Sequence, residues 1–350
     1  MPLRVPALPR HHAGPEALTR MQALPEMTDS DAKIPWGAQA LWQQLVPLLP
    51  GLSIEVVRSS PSTNSALLER ARIRPEDWPE DRRDADHARV RRSVESAAFG
   101  RREADLQPCL LVAEHQSAGR GRQGRTWKSA PGASLTFSLG LPLTLADWSG
   151  LSLAVGVALC DALDPSAGPA KALRLGLKWP NDLWLVDVGG AGRKLGGILI
   201  ESVAVGTQRL VIIGIGLNVL PFDAADLNSG FAALCELDAA VTAPAVLARV
   251  ARPLVQALKR FERDGFGAFA ERFAQRDLLR GRVVHTTRAD LPQGIGRGVS
   301  EQGALLVETA TGIVTVASGE VSVRLDEPAP GPTPAQTPTP APAPTSSPTP

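Results

Sequence analysis

Apolar segments of strand length dominate the centre of the chain and constrain its fold more than any other feature. The segment at 110–115 (LLVAEH) begins with four apolar residues and predicts a buried strand, and 134–141 (SLTFSLGL) alternates apolar with small polar residues. Two longer segments, at 194–203 and 208–219, are rich in isoleucine and valine and are interrupted by glycine. Runs of this length and composition are typical of strands. We therefore predict that β-sheet dominates the centre of the protein.

Helical patterns lie on both sides of these segments. Residues 36–49 repeat apolar side chains on one helical face, and 151–163 is a mostly apolar stretch of helical length. A strand at 54–57 and a hydroxyl-rich turn lead into a short helix at 65–71. Helical spacing returns at 246–273, where Pro253 marks a helix start or a kink. The segments LRLGLKWP and DLWLVD, on either side of Asn181, predict one extended run.

Changes in composition predict the domain organisation. Residues 1–35 are rich in proline without a regular period, which predicts a disordered segment. Residues 36–278 form the main α/β domain, with a charged insertion at 73–107. Short glycine-spaced strands at 279–327 predict a small β-barrel. Residues 328–350 alternate proline with alanine and threonine, which predicts a disordered polyproline-type tail.

The charge balance and the cysteines exclude several classes of protein. The 37 basic and 36 acidic residues give a formal net charge of +1, so we expect no wholesale neutralisation of nucleic-acid phosphates and no DNA partner. Cys109, Cys160 and Cys235 lie far apart in apolar runs, which predicts buried, reduced thiols rather than disulfides or a zinc site. No segment resembles a membrane span. We therefore expect a cytoplasmic protein without a membrane partner.

An arginine-glycine loop, defined here as residues 119–125 (GRGRQGR), follows the strand at 110–115. Its glycines have the spacing of a dinucleotide fingerprint, but that motif requires a helix to begin in the loop, and here a strand pattern follows instead. The remaining alternatives are a solvated loop and a loop whose guanidinium groups close over an anion. Trp127, just after the loop, either stacks on a base or fills the core.

Two further motifs lie near strand ends. KWPND at 178–182 precedes KLGGIL at 194–199, and Lys194, at the start of an apolar strand, is expected to face solvent or a bound anion. Asp182 either holds a Mg²⁺ ion that bridges phosphates or caps a turn. GIGLN at 214–218 allows close approach of a ligand and supplies the Asn218 amide. The sequence offers no P-loop, no nucleophilic triad and no Cys/His metal spacing.

The sequence resembles the bacterial biotin-protein ligases, also called biotin-[acetyl-CoA-carboxylase] ligases. Four motifs occur in the order typical of that family: STN at 62–64, the GRGRxGRxW loop, KWPND with KLGGIL, and GIGLN. The resemblance covers about residues 36–326. It implies a mixed β-sheet flanked by helices, of the biotin/lipoate ligase type, with a small C-terminal SH3-like β-barrel. It also implies formation of biotinyl-5'-AMP from biotin and ATP with Mg²⁺, followed by transfer of biotin to a lysine of a biotin carboxyl carrier protein.

The resemblance assigns roles to individual residues. Its biotin contacts are Ser62, Thr63, Asn64, Gln116, Arg120, Gly121, Arg122 and Lys194. Its ATP or adenylate contacts are Gly119, Arg125, Trp127, Asn181, Asp182, Asn218 and Arg324, with Asp182 also the candidate Mg²⁺ ligand. Arg120, Arg122 and Lys194 are the candidate catalytic residues, because joining a carboxylate to a phosphate brings two anions together. We expect the arginine-glycine loop to order over the adenylate.

Three other functions compete with this interpretation. A lipoate-protein ligase shares the fold and the adenylation chemistry, but the STN motif and the KWPND and KLGGIL pair favour biotin. A biotin-responsive repressor needs a helix-turn-helix, which the proline-rich residues 1–35 do not resemble. A non-catalytic binding module is disfavoured by the polar motifs at several strand ends. The sequence leaves open whether the protein is a monomer or a homodimer.

Overall fold

The computed structural model describes residues 34–72, 98–99, 106–145, 147–165, 174–187, 192–222, 230–317 and 321–322. Several predictions concern residues outside these ranges: the disordered segment up to residue 33, most of the charged insertion, the proline-rich tail and the role of Arg324.

The elements follow the predicted order along the chain. The helices are α1 (Ala38–Leu45), α2 (Thr63–Arg72), α3 (Leu151–Leu163), α4 (Ala243–Asp264) and α5 (Ala270–Arg276). The strands are β1 (Ser53–Ser60), β2 (Ala98–Phe99), β3 (Cys109–Gln116), β4 (Gly119–Arg120), β5 (Thr126–Trp127), β6 (Ser134–Pro142), β7 (Leu175–Lys178), β8 (Asp182–Val186), β9 (Gly192–Val205), β10 (Gln208–Asn218), β11 (Val283–Thr286), β12 (Gln293–Val299), β13 (Leu305–Thr309), β14 (Gly312–Val316) and β15 (Val321–Ser322).

Eight strands form one mixed sheet in the order β2-β1-β3-β6-β10-β9-β8-β7. Strands β1 and β3 pair in parallel, and the other neighbours are antiparallel. The mixed sheet of the predicted fold class is therefore confirmed. The prediction of one extended run around Asn181 is wrong, because β7 and β8 form a hairpin in which Lys178 pairs with Asp182. Pro180, which has no backbone N–H to donate, lies in the turn.

Helices cover the two faces of this sheet. Helix α3 is almost entirely apolar and packs so closely that a side chain at Gly156 would reach within 2.8 Å of Leu177 and 3.6 Å of Ile198. Helix α2 packs on the opposite face, where Leu67 and Leu68 join a buried cluster with Ile212. Each fully buried aliphatic side chain of this kind contributes about 1.5–3 kcal/mol to folding. The sheet is thus the middle layer of the core.

Helix α4 continues through Pro253 for 22 residues, so Pro253 does not mark a helix start. Buried side chains keep their helical spacing on both sides of the proline, at Val246, Val250, Leu254 and Leu258. Burial of this face outweighs the backbone hydrogen bond that the proline removes. Thr242 caps the helix, its hydroxyl accepting a hydrogen bond from the backbone N–H of Ala245 at 3.4 Å.

A second, five-stranded antiparallel sheet follows at the C-terminal end, in the order β14-β13-β12-β11-β15. It adjoins the β7 edge of the main sheet, because the Trp179 indole donates a hydrogen bond to the Gly303 carbonyl at 3.1 Å. The prediction of short glycine-spaced strands here is confirmed. None of the helices in the described part of the chain is both long and apolar enough to cross a membrane. Cys109, Cys160 and Cys235 form no disulfide, and Cys235 is only half-buried.

Candidate active site

One row across the face of the main sheet on which α2 packs contains two neighbouring glycines flanked by polar residues. The pairing register aligns Thr136, Gly216, Gly197, Asp182 and Lys178 across β6, β10, β9, β8 and β7. Directly paired residues point to the same face of a sheet. The next row of the same face aligns Ser138, Gly214 and Leu199. Gly197, Gly214 and Gly216 therefore form a patch of bare backbone, which we call the glycine floor.

Trp127 packs directly on one end of the glycine floor. A Cβ atom at Gly216 would lie only 2.5 Å from Cε2 of the indole, so this contact requires glycine. The ring is half-buried, and its Nε1 is a buried donor with no hydrogen-bond partner among the described residues. An aromatic face with a spare donor suits a planar, polar ring such as a nucleobase.

Asn64, at the start of α2, packs on the other end of the floor. A Cβ atom at Gly214 would lie 2.2 Å from its Oδ1. The Asn64 amide donates hydrogen bonds to the Leu199 carbonyl at 3.1 Å and to Glu201 Oε2 at 2.9 Å, and its Oδ1 accepts one from Ser138 at 2.6 Å. The protein itself thus uses both amide hydrogens of Asn64, which fixes the orientation of this side chain.

Buried polar groups surround Asn64. The Ser138 hydroxyl also lies 2.6 Å from Thr63 Oγ1, and Gln116 Oε1 accepts a hydrogen bond from the Thr63 backbone N–H at 2.8 Å. The Ser62 hydroxyl accepts a weak bond of 3.4 Å from the Ser65 N–H, as expected at a helix start. Buried polar networks of this kind fix side chains in one arrangement. Here they line the wall of the floor at the Gly214 end.

The arginine-glycine loop forms a small hairpin with a three-residue 3-10 turn at Arg122–Gly124, and no α-helix begins in it, which agrees with the rejection of the dinucleotide fingerprint. Strands β4 and β5 pair, and a Cβ atom at Gly119 would lie 2.4 Å from the Trp127 carbonyl. Between them, the backbone N–H of Gly121 donates to the Arg125 carbonyl at 2.7 Å, and Gln123 has a φ of 55°. The hairpin carries its arginines to both sides of the glycine floor.

Arg120 and Arg122 have different partners. One terminal nitrogen of the Arg120 guanidinium donates to both carboxylate oxygens of Glu201, at 2.7 and 3.0 Å, so Arg120 is linked through Glu201 to Asn64. Arg122 donates a long bond of 3.4 Å to Asn181 Oδ1. Burial lowers the pKa of Arg122, an effect that nearby Asp182 opposes and Arg125 reinforces. Arg122 thus lies close to Asp182, whereas Arg120 pairs with Glu201.

Lys194 and Asp182 form an ion pair at 2.8 Å beside Gly197. Strict alternation along β9 would place Lys194 and Gly197 on opposite faces of the sheet. A register shift opposite Leu183 and Trp184 adds one residue to β9, so Lys194 pairs with Trp184 on the same face as Asp182. In this structure the partner of Lys194 is a carboxylate of the chain, and the expectation that Lys194 faces a bound anion stays a prediction.

Asn218 lies at the end of β10 and is buried. Its amide donates to the Ala232 carbonyl at 3.0 Å and, weakly, to the Lys194 carbonyl at 3.5 Å. The segment around Ala232 is thereby held beside Lys194, and Ala232 also donates to the Lys194 carbonyl at 2.9 Å. In this structure Asn218 orients backbone around the site.

Most of the assigned residues therefore surround one floor, and Arg324 lies outside the described residues. The sequence interpretation missed Ser138, which joins Thr63 to Asn64, and Glu201, which joins Asn64 to Arg120. Glu201 lies four residues after Gly197 on the same strand, so period-two alternation from that glycine would have indicated its face. Ser138 carried no such signal, because serine is ordinary in an alternating strand.

The described residues offer little to hold a metal ion by themselves. No group of three or more His, Cys, Asp or Glu side chains suited to a metal occurs within the described ranges. Asp182 is the carboxylate beside Lys194, and one of its oxygens is already in the ion pair. This donor set fits Mg²⁺ only if substrate phosphates supply most of the ligands, which is the usual arrangement for this ion.

Comparison with known proteins gives a consistent result. Residues 101–218 match the model of the biotin/lipoate A/B protein ligase family, and residues 284–324 match that of the biotin protein ligase C-terminal domain. A biotin-[acetyl-CoA-carboxylase] ligase of Mycobacterium tuberculosis is 32% identical over 310 residues, which cover 84% of this chain and 98% of that protein. The bifunctional ligase/repressor BirA of Escherichia coli is 35% identical over 222 residues, 62% of this chain and 66% of that one.

A solved structure agrees in fold. The biotin protein ligase of Aquifex aeolicus in complex with biotin and ATP superimposes with a TM-score of 0.56 and 26% sequence identity, covering 77% of this chain and 98% of that one.

Proposed function

The chain belongs to the biotin protein ligases, and we propose that it forms biotinyl-5'-AMP from biotin and ATP over the glycine floor and then passes biotin to a lysine of a biotin carboxyl carrier protein. The observation that carries the proposal is that two glycines of the same strand, β10, each support a different polar or aromatic side chain. Gly214 and Gly216 lie two residues apart on β10 and support Asn64 and Trp127 respectively. We infer that a ligand with one polar fused-ring end and one nucleobase end contacts both of these side chains.

The Gly214 wall suits the biotin end of this ligand. The ureido group of biotin needs donors and acceptors that are already oriented, and Thr63, Ser138 and Gln116 supply buried hydroxyl and amide groups. Asn64 acts by holding this wall in place. Trp127 suits the adenine, because its indole face is fixed on Gly216 and its Nε1 has no partner among the described residues.

The part of the site around Lys194, Arg122 and Asp182 suits the first chemical step. A carboxylate oxygen of biotin attacks the α-phosphorus of ATP, a new P–O bond forms, and the bond from that phosphorus to the bridging oxygen breaks with release of pyrophosphate. Two anions must approach, so preorganised cations lower the barrier. Lys194 and Arg122 lie next to Asp182, where they neutralise this charge. Asp182, together with the substrate phosphates, would hold a Mg²⁺ ion, which would supply further charge neutralisation.

The second step requires orientation and exclusion of water more than a protein nucleophile. The neutral amine of the acceptor lysine attacks the biotinyl carbonyl, the mixed anhydride bond breaks, AMP leaves, and the proton that the nitrogen loses passes to solvent. The arginine-glycine loop, hinged on β4 and β5, closes over the adenylate in this proposal.

We further propose that residues 279–327 form a separate SH3-like domain beside the catalytic domain of residues 36–278. We also propose that the enzyme works in the cytoplasm.

Mass spectrometry of the acyl-adenylate tests the proposal. The protein is incubated with ATP, Mg²⁺ and either biotin or lipoate, and then with a purified biotin carboxyl carrier domain. We expect biotinyl-5'-AMP, followed by one added biotin on the carrier, and no lipoyl-AMP above background. A product with lipoate alone, or no adenylate with either acid, contradicts the proposal. A carrier domain with its acceptor lysine changed to arginine is the control for the second step.

A further inference from the structure

Lys178 is a cation of the site to which the proposed function has so far given no role. It is the last residue of β7 and pairs with Asp182, so its side chain starts on the same face as the glycine floor. Its ammonium lies 5.1 Å from the centroid of the Trp184 ring. Within the described ranges this ammonium has no hydrogen bond or ion pair, whereas Lys194 is paired with Asp182 at 2.8 Å.

Cations outnumber anions around Lys178. Burial lowers its pKa most, Asp182 opposes this change, and the positive charges of Lys194 and Arg125 lower the pKa further. The Asp182 carboxylate is also shared with Lys194, so it does not neutralise Lys178 alone. A half-buried ammonium without a hydrogen-bonding partner is costly to maintain. A multiply charged anion would satisfy Lys178 and its neighbours together.

We propose that Lys178 binds the β- and γ-phosphates of ATP and stabilises the departing pyrophosphate. This role rests on the proposed adenylation and is separate from that of Lys194. When the bond between the α-phosphorus and the bridging oxygen breaks, its electron pair leaves with the pyrophosphate, which gains negative charge. No proton has to move in this step. An ammonium positioned beside the leaving group therefore stabilises the transition state more than it stabilises bound ATP.

The competing explanation is structural: Lys178 covers the Trp184 ring with its stem and contributes only a cation–π contact. The two explanations differ in which half-reaction depends on the charge. A pyrophosphate contact matters only when biotinyl-5'-AMP is made or reversed. A structural role affects both half-reactions together, through the stability of β7 and β8.

The test compares Lys178→Met, which keeps the length and apolar stem without charge, with Lys178→Arg, which keeps a cation. Lys259→Met, at an exposed position on α4, is the matched control. The first half-reaction is measured as biotin-dependent exchange of labelled pyrophosphate into ATP. The second is measured as transfer from added biotinyl-5'-AMP to a carrier domain. Thermal unfolding is recorded for each variant.

We expect Lys178→Met to reduce exchange by about 10- to 100-fold and to raise the KM for pyrophosphate, with transfer from added biotinyl-5'-AMP close to wild type. Lys178→Arg should recover most of the exchange. Unchanged exchange in Lys178→Met, or an equal loss in both half-reactions with a lowered melting temperature, overturns the role of Lys178 alone. Wild-type protein that shows no biotin-dependent exchange overturns the proposed function itself, and this role with it.

Discussion

Replacing Gly214 with alanine tests whether the bare backbone under Asn64 builds the biotin wall. The added methyl group would lie 2.2 Å from Asn64 Oδ1 and 2.8 Å from its Cγ, so the Asn64 side chain must move. Its bonds to the Leu199 carbonyl, Glu201 and Ser138 are then lost or lengthened. Because these groups are buried or half-buried, part of the loss is the cost of leaving polar atoms without partners.

The size of the effect follows from these contacts. Overpacking a tight site costs about 1–3 kcal/mol, and unsatisfied buried polar groups cost about 1–3 kcal/mol more. We expect the free energy of unfolding to fall by about 2–6 kcal/mol. Displacement of the Asn64 wall should also weaken biotin binding by about 10- to 100-fold. This range corresponds to the loss of one or two hydrogen bonds, because each loss of about 1.4 kcal/mol weakens binding about tenfold.

Urea unfolding and calorimetric titration with biotin measure the two effects. The control is Gly267→Ala, because a methyl group there meets no atom within 4 Å and its φ is not positive. Gly214→Ala protein that binds biotin and unfolds like Gly267→Ala would refute the reasoning, since Asn64 would then have no need of this position. Loss of stability with unchanged biotin affinity would refute the assignment of Asn64 to the biotin wall.

Three further predictions concern the other end of the floor, the loop anchor and the junction with the C-terminal sheet. Gly216→Ala places a methyl group 2.5 Å from the Trp127 ring, so the KM for ATP should rise about 10-fold or more while biotin binding changes less, as steady-state exchange and titration will show. Glu201→Gln weakens the ion pair that anchors Arg120. Because the Arg120 side chain is 42% exposed, the free energy of unfolding should change by less than about 1 kcal/mol, whereas biotinyl-5'-AMP should dissociate several-fold faster. Filter-binding measurements test this, with Glu308→Gln, at an exposed ion pair, as the control. Burial raises the pKa of Asp277 from 3.8 to about 6, so the folded chain holds this proton more tightly than the unfolded chain does. The free energy of unfolding should therefore fall by up to about 3 kcal/mol as the pH rises from about 4 to 6. Asp277→Asn keeps the acceptor for the Leu279 N–H and should remove that decline, whereas urea midpoints with the same pH slope in both proteins would contradict the assignment.

The sheet and its helices were largely predictable, because their signals are local. The helix at 151–163 has the same bounds in the structure, and the strands at 110–115 and 134–141 extend by only one or two residues. Exceptions arise where tertiary contacts overrule a local rule. Pro253 lies inside α4 because the buried face continues across it, and the run around Asn181 folds back at Pro180.

The site was predictable in its residues more than in its geometry. Motifs indicated Asn64, Trp127 and Lys194, but their contacts depend on long-range register. The extra residue in β9 that turns Lys194 toward Asp182 has no signature in KLGGIL. Likewise, GIGLN suggested a close approach at its glycines, but not that Gly214 and Gly216 support two different walls. Which strands become neighbours decides these contacts, and a single segment does not encode that choice.

A crystal structure of the protein with biotinyl-5'-AMP tests the central claim most directly. The account predicts the adenine against the Trp127 ring above Gly216, the fused rings of biotin beside Thr63 and Ser138, and the phosphate within hydrogen-bonding reach of Lys194 or Arg122. An adenylate bound away from Gly197, Gly214 and Gly216, or in the reverse orientation along β10, would contradict it.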